Sequence, residues 1–130
     1  MKQFNKIKFF FLVSIILCFG FSAHADEWLN PEGKIGGRPA YAQLYLTSAG
    51  RVTGYYHYYS NQTGNPTSPK YQVSGTWRAV NTTGEYVVNL KSKDGATWSA
   101  RYESRTGCFK GTLKESNGRS QRIEMVDEGI

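Results

Sequence analysis

The sequence predicts an all-β fold, a single small antiparallel meander of about seven to eight strands closed into a barrel or curled sandwich. Two observations carry this. From residue 39 onward, runs rich in Tyr, Val, Thr and Trp alternate with turn signals. Within the runs, apolar residues recur at every second position, and no apolar set recurs at helical spacing over a helix-length window.

Residues 1–25 stand apart from that pattern. Lys2, Lys6 and Lys8 precede an almost unbroken apolar run at 9–21, and Ala23-His24-Ala25 lies just before Asp26. A basic start, a short apolar stretch and a small-x-small cleavage pattern read as a secretory signal peptide that is removed on export. The apolar run is shorter than the roughly 20 residues of a spanning helix. Leu17 before Cys18 argues against a lipid-modified cysteine. The expected localisation is periplasmic or secreted.

Processing changes the composition. The whole chain carries 16 basic and 10 acidic residues, a net +6, but three lysines and no acid lie in residues 1–25, which leaves +3. A charge of that size is an ordinary solubility feature, so a nucleic-acid partner loses its main support. Six of the seven Phe also leave, while all nine Tyr and three Trp stay. Tyr and Trp beside β-branched residues and many Gly suit pleated strands.

Residues 26–38, with Pro31, Gly33, Gly36, Gly37 and an extension to Pro39, are expected to be an irregular lead-in, and residues 39–130 the β domain. The strand runs are 40–46, 51–59, 71–80, 85–91, 97–104, 108–115 and 121–126. Between them lie Ser48-Ala49-Gly50, the long 61–69 stretch, Asn81-Thr82-Thr83-Gly84, Lys93-Asp94-Gly95, Arg105-Thr106-Gly107 and Ser116-Asn117-Gly118. Asp-Gly and Asn-Gly supply residues that accept the positive φ of tight hairpins. Seven strands close awkwardly into an up-and-down barrel, and an eighth near Ile35 would complete it.

Alternation assigns the faces. Val52, Gly54, Tyr56 and Tyr58 share one side of the second run, while Thr53, Tyr55, His57 and Tyr59 share the other. Tyr71, Val73, Gly75 and Trp77 point inward, followed by Tyr86, Val88 and Leu90, then Trp98, Ala100 and Tyr102. Phe109, Gly111, Leu113, Ile123 and Met125 finish the core. Glycine at 54, 75 and 111 lets a neighbouring ring lie across the strand or lets the sheet coil. From Gly50 to Trp77 the chain is similar to hairpins of avidin- or lipocalin-type barrels; the likeness covers two strands and implies no binding residues.

No catalytic constellation is legible, and the sequence predicts a protein that is not an enzyme. One histidine, His57, and one cysteine, Cys108, follow residue 25, so no structural-zinc cluster forms within one chain, and no metal or cofactor is expected. Neither sits in a nucleophile motif. Glu85, Glu103, Glu115 and Glu124 fall at solvated strand positions or ends, where surface charge is the default. No glycine-rich phosphate loop leads into a helix.

The departure from background is Tyr55-Tyr56-His57-Tyr58-Tyr59. Tyr55, His57 and Tyr59 form an outward aromatic row, which the 61–69 loop either covers or flanks. Arg78 and Arg101 are expected beside the row, because Tyr with Arg is the composition of interaction hot spots. The expected function is a small exported bacterial, non-catalytic binding protein that engages a protein partner in the envelope or extracellular space, as an inhibitor of a cell-wall-degrading enzyme or a toxin-immunity protein. The alternative is a small apolar ligand or saccharide bound at the row or at the barrel mouth, lined by Tyr56, Tyr58, Trp77, Trp98 and Tyr102.

Overall fold

The computed structural model describes residues 26–127. The signal peptide expected at 1–25 lies outside the described residues. Nine strands form one antiparallel sheet: β1 (Glu27–Leu29), β2 (Glu32–Ile35), β3 (Arg38–Leu46), β4 (Arg51–Tyr58), β5 (Tyr71–Ala79), β6 (Glu85–Ser92), β7 (Thr97–Glu103), β8 (Cys108–Lys114) and β9 (Ser120–Val126). Neighbours follow chain order from β3 to β9. β9 then pairs with β2, β2 with β3, and β3 with β4, which closes eight strands into a barrel. The meander is a barrel rather than a sandwich.

The segment 26–38 is not irregular. β2 is the eighth wall strand, at the position expected near Ile35, and it joins β3 to β9 through Ile35↔Arg38 and Ile35↔Ile123. β1 is the extra strand, laid along the far end of β3 by Trp28↔Tyr45 and Leu29↔Leu44. Between them, buried Pro31 breaks the ladder, but its carbonyl still accepts the Ala42 N–H at 2.9 Å. Glycine and proline thus mark a bend in a strand pair here, because β3 and β9 offer a ready edge on either side.

The face assignments hold around the whole barrel. Val52, Tyr56, Tyr58, Val73, Tyr86, Val88, Leu90, Trp98, Ala100, Tyr102, Phe109, Leu113, Ile123 and Met125 are buried, with Tyr71 and Trp77 half-buried against them. Ala40, Ala42, Leu44 and Leu46 complete the inner face from β3. The small Ala residues of β3 leave room for the rings opposite.

Those rings form a nearly continuous stack through the interior. Tyr58 and Tyr56 are 6.0 Å apart between centroids, Tyr56 and Trp98 5.0 Å, and Trp98 and Phe109 6.1 Å. Phe109 reaches Tyr102 at 6.4 Å, Tyr102 reaches Tyr86 at 5.9 Å, and Tyr86 reaches Trp77 at 5.1 Å. Such pairs contribute about 0.5–1.5 kcal/mol each beyond the area they bury. At the far end, the Trp77 indole N–H donates to the Thr47 carbonyl at 2.7 Å, which ties the β3–β4 turn over the barrel floor.

Core-face glycines let neighbouring strands approach closely. A Cβ on Gly75 would sit 1.9 Å from the Asn89 carbonyl oxygen, and one on Gly111 would sit 2.1 Å from that of Ser99. Of the two expected roles, coiling of the sheet is the one these contacts explain. Gly75→Ala and Gly111→Ala are each expected to cost at least about 2 kcal/mol in urea unfolding, because a backbone atom must move. The outward neighbour change Ser74→Ala should stay within about 0.5 kcal/mol.

Candidate functional site

The outer wall of β3 and β4 carries the aromatic residues that the strand alternation leaves outside. Tyr41 stands directly across from His57, and Gln43 across from Tyr55. The Tyr41 and His57 rings are 5.6 Å apart, Tyr55 and His57 6.1 Å, and Tyr41 and Tyr55 6.5 Å. The three half-buried rings form one shelf, with the Lys70 ammonium 4.6 Å from the Tyr55 ring centre. His57 Nδ1 is buried without a hydrogen-bond partner. Burial pushes the Tyr41 phenol above its usual range, with the Tyr55 phenol a lesser cause.

Tyr55 and His57 are therefore brought together as expected, but the rest of the expected site is not. Tyr59 turns to the N-terminal segment, and its hydroxyl donates to Glu32 Oε2 at 2.9 Å. Arg78 is exposed on β5, six positions along from Gln72, which faces Tyr55. At about 3.3 Å per residue that is roughly 20 Å. Arg101 lies on β7 opposite Val87 and meets Glu85 at 3.4 Å. The cation at the shelf is Lys70. The sequence reading missed Tyr41 and Lys70, although Tyr41 alternates with inward Ala40 and Ala42 and so reads as outward.

Three of the wall's four outward tyrosines serve the N-terminal segment. Tyr41 donates to Asn30 Oδ1 at 3.1 Å and Tyr45 to Asp26 Oδ2 at 2.6 Å, while Tyr59 holds Glu32. Asp26 also accepts the Ser48 N–H at 2.9 Å, and exposed Trp28 packs on Tyr45 at 4.7 Å. These contacts clasp β1 and β2 against β3. Tyr55, with Lys70 on its face, is the tyrosine of the row that the clasp does not use.

The connection from β4 to β5 is structured by its own hydrogen bonds. Ser60 N–H donates to the Asn65 carbonyl at 2.9 Å, Gly64 N–H to the Ser60 carbonyl at 2.8 Å, and Gln62 and Thr63 N–H groups to Ser60 Oγ. Its two legs are pinned where Thr67 N–H donates to the Tyr58 carbonyl and Tyr58 N–H to Ser68 Oγ, both at 2.9 Å. Residues 61–67 are exposed throughout. The result is a pre-shaped finger beside the shelf, with Lys70 at its foot.

The alternative ligand residues point inward, where they form the core. Tyr56, Tyr58, Trp98 and Tyr102 are buried, and the Arg38 guanidinium sits 3.8 Å over the Tyr58 ring at the finger end. The Trp98 indole N–H lowers the Tyr56 phenol slightly by its approach, yet Trp98 Nε1 has no partner with hydrogen-bond geometry. Cys108 is a free, half-buried thiol on the outer face of β8. Among the described residues no helix is long and apolar enough to cross a membrane, and no three His, Cys, Asp or Glu cluster to hold a metal ion. Comparison with family models, curated proteins and solved structures returns no match.

Two pH effects follow. Tyr45 and the Ser48 N–H hold the Asp26 carboxyl below its ordinary value of 3.8. A depressed carboxylate stabilises the clasp above that value and loses its contribution as pH falls through the lower folded value. Amide exchange in β1 should therefore accelerate below about pH 4, and Asp26→Asn should abolish that step. Burial raises the Tyr56, Tyr58, Tyr86 and Tyr102 phenols above the ordinary 10.0. Unfolded chains lose these protons first, so stability should fall as pH rises above about 10. An ultraviolet titration should show the four ionising only with unfolding.

Proposed function

We propose that the protein is a small exported, non-catalytic bacterial binding protein whose partner is another protein in the cell envelope. Inhibition of a cell-wall-degrading enzyme, or neutralisation of a delivered toxin, is the activity that suits it. The finger formed by residues 60–68 carries this reading, because it holds its shape through its own backbone and hydroxyl hydrogen bonds while every side chain from 61 to 67 is exposed. A loop that is ordered before binding loses little conformational entropy when it enters a cleft. The Tyr41–His57–Tyr55 shelf beside it supplies flat amphipathic rings of the kind that dominate interface energetics. In this arrangement the finger enters the partner's groove and the shelf packs on its rim.

One observation favours a second reading. Trp98 Nε1 is buried beside the Tyr56 hydroxyl but makes no hydrogen bond of normal geometry with it. A small amphipathic molecule among Tyr56, Tyr58 and Tyr71 would offer such a bond. Tryptophan fluorescence that responds to such a molecule in the native protein, but not in Trp98→Phe, would favour it.

The main reading is tested with a panel of cell-wall hydrolases and toxins from envelope-targeting systems. The protein should inhibit at least one member, and Tyr55→Ala/His57→Ala should weaken that inhibition by about tenfold or more. Equal potency of the two forms would remove the shelf from the interface. Absence of any inhibited or retained partner would count against the function itself.

A further inference from the structure

The wall opposite the shelf has a different chemistry. On the outer faces of β6 to β9 lie Lys91, Arg101, Lys110, Lys114 and Arg122, all exposed. Lys91 and Lys114 flank Thr97 on either side. Arg101 and Lys110 stand directly across from one another, a like-charge pairing that costs stability in a sheet. Asn89, Ser99 and Thr112 form a polar row between the cations, in register with Arg122.

Two acids of this region pair with arginines and three accept from neutral groups that leave their charge in place, and Glu124 also stands directly across from Lys110. Glu85 meets Arg101 at 3.4 Å and accepts from Asn81 at 2.8 Å, and Glu124 meets Arg122 at 3.7 Å. Glu103 accepts from Thr106 at 2.8 Å, Glu115 from Gln121, and Asp94 from Ser92 within its own turn. Lys91, Lys110 and Lys114 make no ion pair with any described residue. Strand spacing places Lys91 and Lys114 roughly 10 Å apart, and Lys110 and Lys114 roughly 13 Å apart along β8.

We infer that this wall binds an acidic polysaccharide, a glycan bearing carboxylate, sulfate or phosphate groups. Spaced, unpaired ammonium groups meet the repeated anions, and the hydroxyl and amide row between them can donate to and accept from sugar hydroxyls. No described aromatic side chain lies on the outer face of these four strands, whereas single-stranded nucleic acid binding relies on stacked bases. The outward apolar side chains there are Val87 and Val126, too few for the apolar face of an interfacial membrane contact. The inference is independent of the shelf and of its protein partner.

Dextran sulfate, neutral dextran, single-stranded DNA and phosphatidylglycerol vesicles are the probes. The protein should bind dextran sulfate at low salt, release it as salt rises, and ignore neutral dextran. Lys110→Gln/Lys114→Gln should lower that affinity about tenfold or more. Arg38→Gln/Arg51→Gln, which removes the same charge from β3 and β4, each two strands beyond an edge of this wall, should lower it by less than about threefold. Equal losses from the two double variants would reduce the effect to net charge and overturn the inference. So would absence of binding at low salt, or stronger binding to DNA or vesicles than to dextran sulfate.

Discussion

The pairing of β2 with β9 is the constraint on which everything else depends, because it turns an open meander into a closed wall. An open sheet of this length would leave two unpaired edges and one wet face of Tyr and Trp rings. Closure brings Tyr58, Tyr56, Trp98, Phe109, Tyr102, Tyr86 and Trp77 into contact inside. The core joins these rings to Leu29, Leu44, Leu46, Leu90, Leu113, Ile35 and Ile123, and each ring removes a large apolar area from water. The close strand approaches at Gly75 and Gly111 belong to the same solution, since the wall must coil to close.

Closure also divides the exterior. β3 and β4 carry tyrosines outside as well as inside, and three outer phenols hold the N-terminal segment through Asn30, Asp26 and Glu32. Of the aromatic row Tyr55, His57 and Tyr59 in the sequence, Tyr59 is thus a fastening in the fold. What remains for recognition is the Tyr41–His57–Tyr55 group with Lys70 and the self-bonded finger. On the far side, the cations of β6 to β9 share a wall with hydroxyl and amide groups and no rings. One small barrel thus presents two surfaces of unlike chemistry.

The strands from β3 to β9 and the inward sets of β4 to β9 were legible in the chain, and the reason is local. A pleated strand sends successive side chains to opposite sides, so Val52, Tyr56 and Tyr58 declare their face wherever the strand lies. The lead-in was misread because Pro31, Gly33, Gly36 and Gly37 resemble a loop when seen alone. β1 and β2 exist through partners on β3 and β9 that no local pattern records.

By itself the sequence determined which residues alternate, which turns accept positive φ, and that no helix forms in residues 26–127. Only the tertiary structure decided which outward residues are neighbours. In a staggered barrel, each strand pair adds its own offset along the strand direction, and the offsets accumulate around the wall. Arg78 and Arg101 share the outer surface with Tyr55, yet Arg78 lies six residues further along the neighbouring strand and Arg101 two strands beyond it. The same stagger delivers Tyr41 and Lys70 to His57 and Tyr55.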